Sequence, residues 1–596
     1  MHDRADASAD ADAVGSLDGA AAQRLHARVE RHLAAVYPDE DPVALGQRLL
    51  VAIGDPAQGT PAPAMPPQLW DQSDVWAISY PGSIVTPGQP PLRTLRRFLH
   101  EHLAGLVSGL HVLPFFPSSS DDGFAVTDYL AVDPTLGDWD DITELSRDVR
   151  VMADVVINHC SSAHPWFRNH CGDRDPGRGW FVEVDPATDL SAVVRPRTSP
   201  LLRPTATAHG QRHVWATFSH DQVDLDFANP EVLLEFVRTI RTYLDAGVSV
   251  VRLDAVAFLW KEPGTDCLNR PQTHELVRLL RALVEHRRPD AIIVTETNIP
   301  SQENLAYFGN ANEAHVVYNF SLPPLLVQAL VTGTSRHLTS WLMGMPHAQV
   351  GTALLNLIAS HDGIGLRPTE GLLDPDELTA LIATMESFGG TVSWRSLDDG
   401  GATPYEINIA LIDALQGTVD GPDNHQLDRF ACAHAIMLAL EGIPAFYLHS
   451  LLGTTNDHER VATTGRARAI NRHQWDLDEL NSRLADPASL NARVLARLRH
   501  LITVRRQQPA FHPNATQFPM HLGEEFFALG RQSLDGLQDI FAINNVTDQV
   551  QLLPLSQVNL VHDQRWVDLL TGDELAARVG PMEVAPYQTL WLSNQP

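Results

Sequence analysis

Short apolar runs recur along the chain with amphipathic stretches between them. Eight of the runs read as buried strands: VWAISY (75–80), GLHVLPFF (109–116), VRVMADVVIN (149–158), VSVVRLDAV (248–256), AIIVTETN (291–298), HVVYNF (315–320), TALLNLIASHD (352–362) and IPAFYL (443–448). They are nearly continuous rather than alternating, as expected of strands covered on both faces of a parallel sheet. Between them, PLRTLRRFLHEHLAGL, EVLLEFVRTIRTYLDAG, PQTHELVRLLRALVEH and LDRFACAHAIMLALEG carry apolar residues at three- and four-residue spacing, the pattern of helices with one buried face. Eight strands alternating with helices predict an α/β fold, a (β/α)8 barrel.

The remaining segments do not fit a plain barrel. Residues 1–15 are polar and read as disordered, 17–53 show helical periodicity, and PAQGTPAPAMPPQ (56–68) reads as a Pro-rich linker. Together they make an N-terminal helical extension over 1–68, with the first part of the barrel at 69–159. Two intervals, 160–230 after the third strand and about 363–425 after the seventh, are too long for connections, so each predicts a subdomain over the barrel mouth. The barrel resumes over 231–508. From 509 to 596 the pattern alternates (FFALGRQ, DIFAINNV, QTLWLSN), predicting an antiparallel C-terminal β-domain.

Charge narrows the partners. The 596 residues hold 43 Lys+Arg against 73 Asp+Glu, a net charge of −30, which argues against nucleic acid or an anionic membrane. Lys261 is the one lysine, so no GxxxxGK[ST] phosphate loop exists. Any anion must be met by arginine, histidine, backbone N–H groups or Lys261. Four cysteines, Cys160, Cys171, Cys267 and Cys432, are too few for a disulfide scaffold. No secretory signal or membrane-length apolar run is visible, so the expected location is cytoplasmic. A homo-oligomer stays open.

Several strand-like runs end in charged or strongly polar residues: Asn158-His159 on the third, Arg252 and Asp254 on the fourth, Glu296 on the fifth, His361-Asp362 on the seventh. Strand C-termini build the active site of this fold, and a carboxylate beside an apolar core is costly. One such residue suits a structural ion pair; three together suit chemistry. Glycosyl transfer through an oxocarbenium-like transition state uses a carboxylate nucleophile, a carboxyl acid/base and further charge stabilisation. Arg252, two residues before Asp254, shares its face of the strand and is placed to keep it ionised.

DVVINH (154–159), VRLDAV (251–256), Glu296 in VTETN and SHD (360–362) resemble the four signature regions of glycoside hydrolase family 13, the α-amylase superfamily. The resemblance implies Asp254 as nucleophile, Glu296 as acid/base, Asp362 as transition-state stabiliser, and His159, Arg252 and His361 as contacts to the sugar. Further segments, SSSDDGFAVTDY (118–129), KEPGTDCLNRPQT (261–273), YNFSLPPLL (318–326), SHDGIGLRP (360–368) and AINRH (469–473), are similar to the sucrose phosphorylase subgroup. There Asp121 and Arg472 would clamp the far hydroxyls of glucose, and Phe124 would lie under the ring. Phe258 and Glu406 depart from the sucrose-specific pattern, and 295–325 looks more like the glucosylglycerate phosphorylases of that subgroup. The implied activity is retaining phosphorolysis of 2-O-α-D-glucosyl-D-glycerate, with sucrose phosphorolysis or α-glucosidase and transglucosidase activity as alternatives.

The expected partners are therefore a small α-glucoside and inorganic phosphate. Arg195 and Arg197 in the first insert, with His361, are the candidates for phosphate. Tyr405, in the second insert near Gly400-Gly401, is the candidate for a loop that moves between donor and phosphate states. Glu406 beside it poses a problem: a carboxylate at an anion's site repels the anion unless an arginine neutralises it. His159, Cys160, His164, His170 and Cys171 lack usual zinc spacing, and no EF-hand-type calcium loop is present, so neither metal nor cofactor is expected. Trp215 and Trp394, in the inserts, are the tryptophans placed to act as sugar platforms.

Overall fold

The computed structural model describes residues 23–54, 68–197, 199–396, 401–558, 565–575 and 580–595. The polar stretch 1–15, nearly all of the Pro-rich linker and Gly400 lie outside them. Eight parallel strands close into a barrel: β1 (Trp76–Ser79), β2 (Gly109–Val112), β3 (Arg150–Val156), β4 (Val250–Asp254), β5 (Ile292–Thr295), β6 (Val316–Tyr318), β7 (Ala353–Asn356) and β8 (Ile443–Tyr447). Each falls within one of the eight apolar runs. Their residues are buried on both sides, from the barrel interior and from the helix layer, which is why they read as continuous rather than alternating.

Helices Pro91–Phe98, Pro230–Asp245, Pro271–Arg287 and Gln426–Ala439 occupy the expected stretches. Three begin with proline in their first turn, where its missing N–H breaks no intrahelical bond. Gly109 opens β2 because a Cβ there would lie 2.6 Å from the Trp76 ring.

The two long intervals carry subdomains. In the first, Leu202–Thr207 pairs with Gly210–Trp215, and His159–Ser161 pairs with Gln222–Asp224. Its own small core contains Val193, Leu201 and Trp215. The second holds helix Pro375–Ser387 and a three-stranded sheet of Ile364–Gly365, Ala402–Asn408 and Thr391–Ser396. Near the C-terminus, six antiparallel strands between Thr516 and Ser593 form one sheet with a separate apolar cluster.

The N-terminal extension is helical at 23–36 and at Pro42–Ile53. It packs on the helices flanking β4: His32 Nδ1 lies 2.6 Å from Glu275, and Tyr37 donates to the Phe227 carbonyl at 2.9 Å. Among the described residues no helix is long and apolar enough to cross a membrane.

Candidate active site

Strand register decides what faces the barrel interior. Asp154 on β3 lies beside Arg252 on β4, and Val156 beside Asp254. Arg252 Nη1 donates to Asp154 and, at 2.8 Å, to Asp254, while its Nη2 lies 4.0 Å from Glu296. Asp154 also meets His111 of β2 at 2.8 Å. With Arg252 and His111 against it, Asp154 is held ionised at about 2 despite complete burial.

Asp254, Glu296 and Asp362 converge on one pocket at the strand C-termini. Burial pushes both Asp254 and Glu296 above the ordinary carboxylate range, and their mutual repulsion adds to it for Asp254. Arg252 opposes the rise in both, touching Asp254 and standing off from Glu296. Asp362 is opposite in character: burial is outweighed by Arg468, His361 and Arg472, which hold it well below its usual value.

The wall of the pocket contains Asp121, Phe124, His159, His361 and Tyr405. Phe124 stacks on His361 with ring centroids 5.4 Å apart. Burial lowers His159 to about 4 and His361 to about 3, so both imidazoles are neutral hydrogen-bonding groups at neutral pH. Gln222 Nε2 donates to Asp121 at 2.9 Å and lies 3.2 Å from His159 Nε2, tying the first insert to the pocket.

Residues 102–360 match the α-amylase catalytic-domain family. Over 570 residues the chain is 41% identical to a glucosylglycerate phosphorylase of Allomeiothermus silvanus, which covers 95% of this chain and 98% of that one. The chain belongs to glycoside hydrolase family 13. Within that family it is more distant from a sucrose phosphorylase of Agrobacterium vitis, at 31% identity over 74% of this chain and 89% of its relative. The crystal structure of sucrose 6F-phosphate phosphorylase from Thermoanaerobacter thermosaccharolyticum superposes with a TM-score of 0.69 at 24% identity, covering 80% of this chain and 94% of that one. It shares the fold.

Four of the expected residues, Arg472, Arg195, Trp215 and Trp394, do not line the pocket. Arg472 pairs with Asp122 and donates through Nε to the His361 carbonyl at 2.8 Å, while Asp121 lines the pocket. Asp121 and Asp122 both have positive φ, 55° and 49°, and this tight turn sends the second carboxylate to the outer side of the wall. There it meets Arg466 and Arg472 together. Arg195 donates to the Ser199 carbonyl of its own loop, whereas Arg197 lines the pocket over the Tyr405 ring at 5.7 Å. Trp215 is core of the first insert, 1% exposed, and Trp394 is 52% exposed; neither lines the pocket.

Of the residues that sequence reasoning missed, Arg468 matters most. Its guanidinium takes Glu406 in a two-pronged pair, Nε and Nη2 each donating at 2.8 Å, and gives Nη1 to Asp362. This removes the Glu406 problem, since the carboxylate is neutralised and lies beneath the pocket rather than in its wall. Asn298 and Phe218 also line the pocket. Lys261 is spent elsewhere: Nζ lies 2.8 Å from Asp224 and donates to Asn158 at 2.5 Å, with the side chain 3% exposed. Among the described residues no cluster of three or more His, Cys, Asp or Glu side chains is arranged to hold a metal. His164 caps helix Pro165–Cys171, and His170 lies 3.0 Å from Glu183.

Proposed function

We propose that the chain is a retaining α-glucoside phosphorylase acting on 2-O-α-D-glucosyl-D-glycerate. The convergence of Asp254, Glu296 and Asp362 around Arg252 carries the reaction type. The 41% identity to a glucosylglycerate phosphorylase across almost the whole of both chains supports the donor.

Asp254 attacks the anomeric carbon as the glycosidic C–O bond breaks, and Glu296 gives its proton to the departing glycerate oxygen. A phosphate oxygen then attacks the glucosyl–Asp254 ester from the vacated face, its proton passing to Glu296. The products are D-glycerate and α-D-glucose 1-phosphate, with two inversions giving retention. Asp362 stabilises the positive charge of the ring, Phe124 and His361 flank the sugar, and His159 and Asp121 hold its hydroxyls. Arg197 offers the phosphate a guanidinium without a carboxylate partner among the described residues.

Incubation with phosphate and a panel of α-glucosides tests the reading. Glucose 1-phosphate is expected from glucosylglycerate. Free glucose alone overturns the phosphorylase, and glucose 1-phosphate from sucrose but not from glucosylglycerate overturns the donor.

A further inference from the structure

We infer that Arg468 is a positioning residue for Asp362, and that Glu406 acts through Arg468 as the buried strut that aims it. The three groups come from separate parts of the chain. Asp362 follows β7, Glu406 sits on Ala402–Asn408 in the second insert, and Arg468 lies on the short helix Ala467–Asn471 after β8. The guanidinium fork of Arg468 joins the side chains of the other two.

The geometry gives each member a distinct place. Glu406 is 2% exposed and absent from the pocket wall, whereas Arg468 lines the pocket beside Asp362. Both Glu406 oxygens are taken by Arg468, so the carboxylate has no oxygen turned toward an acceptor. A two-pronged pair fixes the plane of a guanidinium as no single bond does. With that plane fixed, Nη1 is directed at Oδ1 of Asp362, while among the described residues Oδ2 of Asp362 keeps only His361 Nε2, at 3.6 Å. The strut thus holds one oxygen and leaves the other for the sugar.

The backbone is fitted to this arrangement. A Cβ on Gly363 would lie 2.8 Å from the Ile407 carbonyl and 3.1 Å from the Glu406 carboxyl carbon. The turn that carries Asp362 therefore packs directly on the strand that carries Glu406, and glycine is the residue that permits it. Ile364 and Gly365 continue as a strand paired with Ile407 and Glu406, so the second insert and the catalytic carboxylate are one rigid unit. An error of about 1 Å in such a group costs on the order of 100-fold in rate.

The inference rests on the proposed reaction for its acceptors, so its test uses α-D-glucosyl fluoride, which needs neither glycerate nor phosphate. Fluoride leaves as Asp254 bonds to the anomeric carbon, and water then releases glucose, so hydrolysis reads the sugar site alone. E406Q and R468Q are each expected to lower kcat for this hydrolysis by about 10- to 100-fold. E406Q/R468Q is expected to fall no further than R468Q, because both changes remove one device. R468K, which keeps the charge without the fork, is expected to recover little. G363A retains every charge while forcing the turn off its strand, and is expected to show the same loss. Wild-type fluoride hydrolysis in folded E406Q or G363A, with a raised KM for glycerate or phosphate alone, overturns the inference. So do independent, multiplying losses in the double variant. Wild-type protein that hydrolyses the fluoride yet makes no glucose 1-phosphate overturns the proposed function and leaves this inference standing.

Discussion

The Nη1 nitrogen of Arg252 lies 2.8 Å from Oδ1 of Asp254, and the same nitrogen serves Asp154. One buried guanidinium therefore balances two carboxylates on neighbouring strands and stands 4.0 Å from a third, Glu296. Removing it leaves buried charge without compensation. R252Q is expected to abolish turnover and to cost about 3–5 kcal/mol of stability, the range for breaking a buried pair by deleting one partner. Calorimetry alongside kcat/KM checks this; a variant that melts like wild type contradicts it.

Glu296 is pushed above its ordinary value by burial, so it stays protonated at pH values where an exposed glutamate has ionised. A general acid acts while protonated, so the alkaline limb of kcat/KM for an acid-dependent donor should lie above the usual glutamate range. E296Q should remove that limb along with most of the activity on glucosylglycerate. It should retain far more of the glucosylation step on α-D-glucosyl fluoride, whose leaving group needs no proton. A burst of fluoride release from E296Q, compared with its glucose 1-phosphate output, measures the difference.

Lys261 is buried between Asp224 and Asn158, and Asp224 also accepts from the backbone and hydroxyl of Thr217. This cluster fastens the first insert to the end of β3. Amine-directed reagents should leave Lys261 unmodified in the folded protein and label it on unfolding, as read by peptide mass spectrometry. K261M should destabilise by about 3–5 kcal/mol, since it strands a buried carboxylate. Labelling of the native protein at wild-type activity would refute the assignment.

How much of this was legible in the chain follows from what each feature depends on. The eight strands were readable because a strand buried on both faces needs an unbroken apolar run, a local property. The carboxylates at strand ends were readable because their cost in an apolar setting makes them conspicuous. Arg468 was not. It stands among several arginines in GRARAINRH, and its partners come from positions 62 and 106 residues away in sequence. The pairing of Arg472 with Asp122 depended on two positive φ angles that no composition or spacing encodes. Trp215 failed as a platform for a similar reason: residence in an insert does not say which side of the insert's own core a ring occupies.

Arg195 and Arg197 stand two residues apart in VRPR, and the structure separates them. Arg195 is committed to a backbone carbonyl, while Arg197 faces the pocket above Tyr405. The other guanidiniums of the pocket are engaged, Arg252 by Asp154 and Asp254, and Arg468 by Glu406 and Asp362. Arg197 is therefore the guanidinium proposed to meet an entering phosphate. A hydrogen bond between charged groups contributes about 1.5–3 kcal/mol. R197Q is thus expected to raise the KM for phosphate by about 10- to 100-fold, while R195Q changes it little. Hydrolysis of α-D-glucosyl fluoride should be nearly unaffected in either variant, because that reaction brings no anion into the acceptor site. Steady-state phosphorolysis over a phosphate series, run beside the fluoride assay, separates the outcomes. Equal KM shifts for the two arginines would mean that the loop acts through its fold rather than through the Arg197 charge.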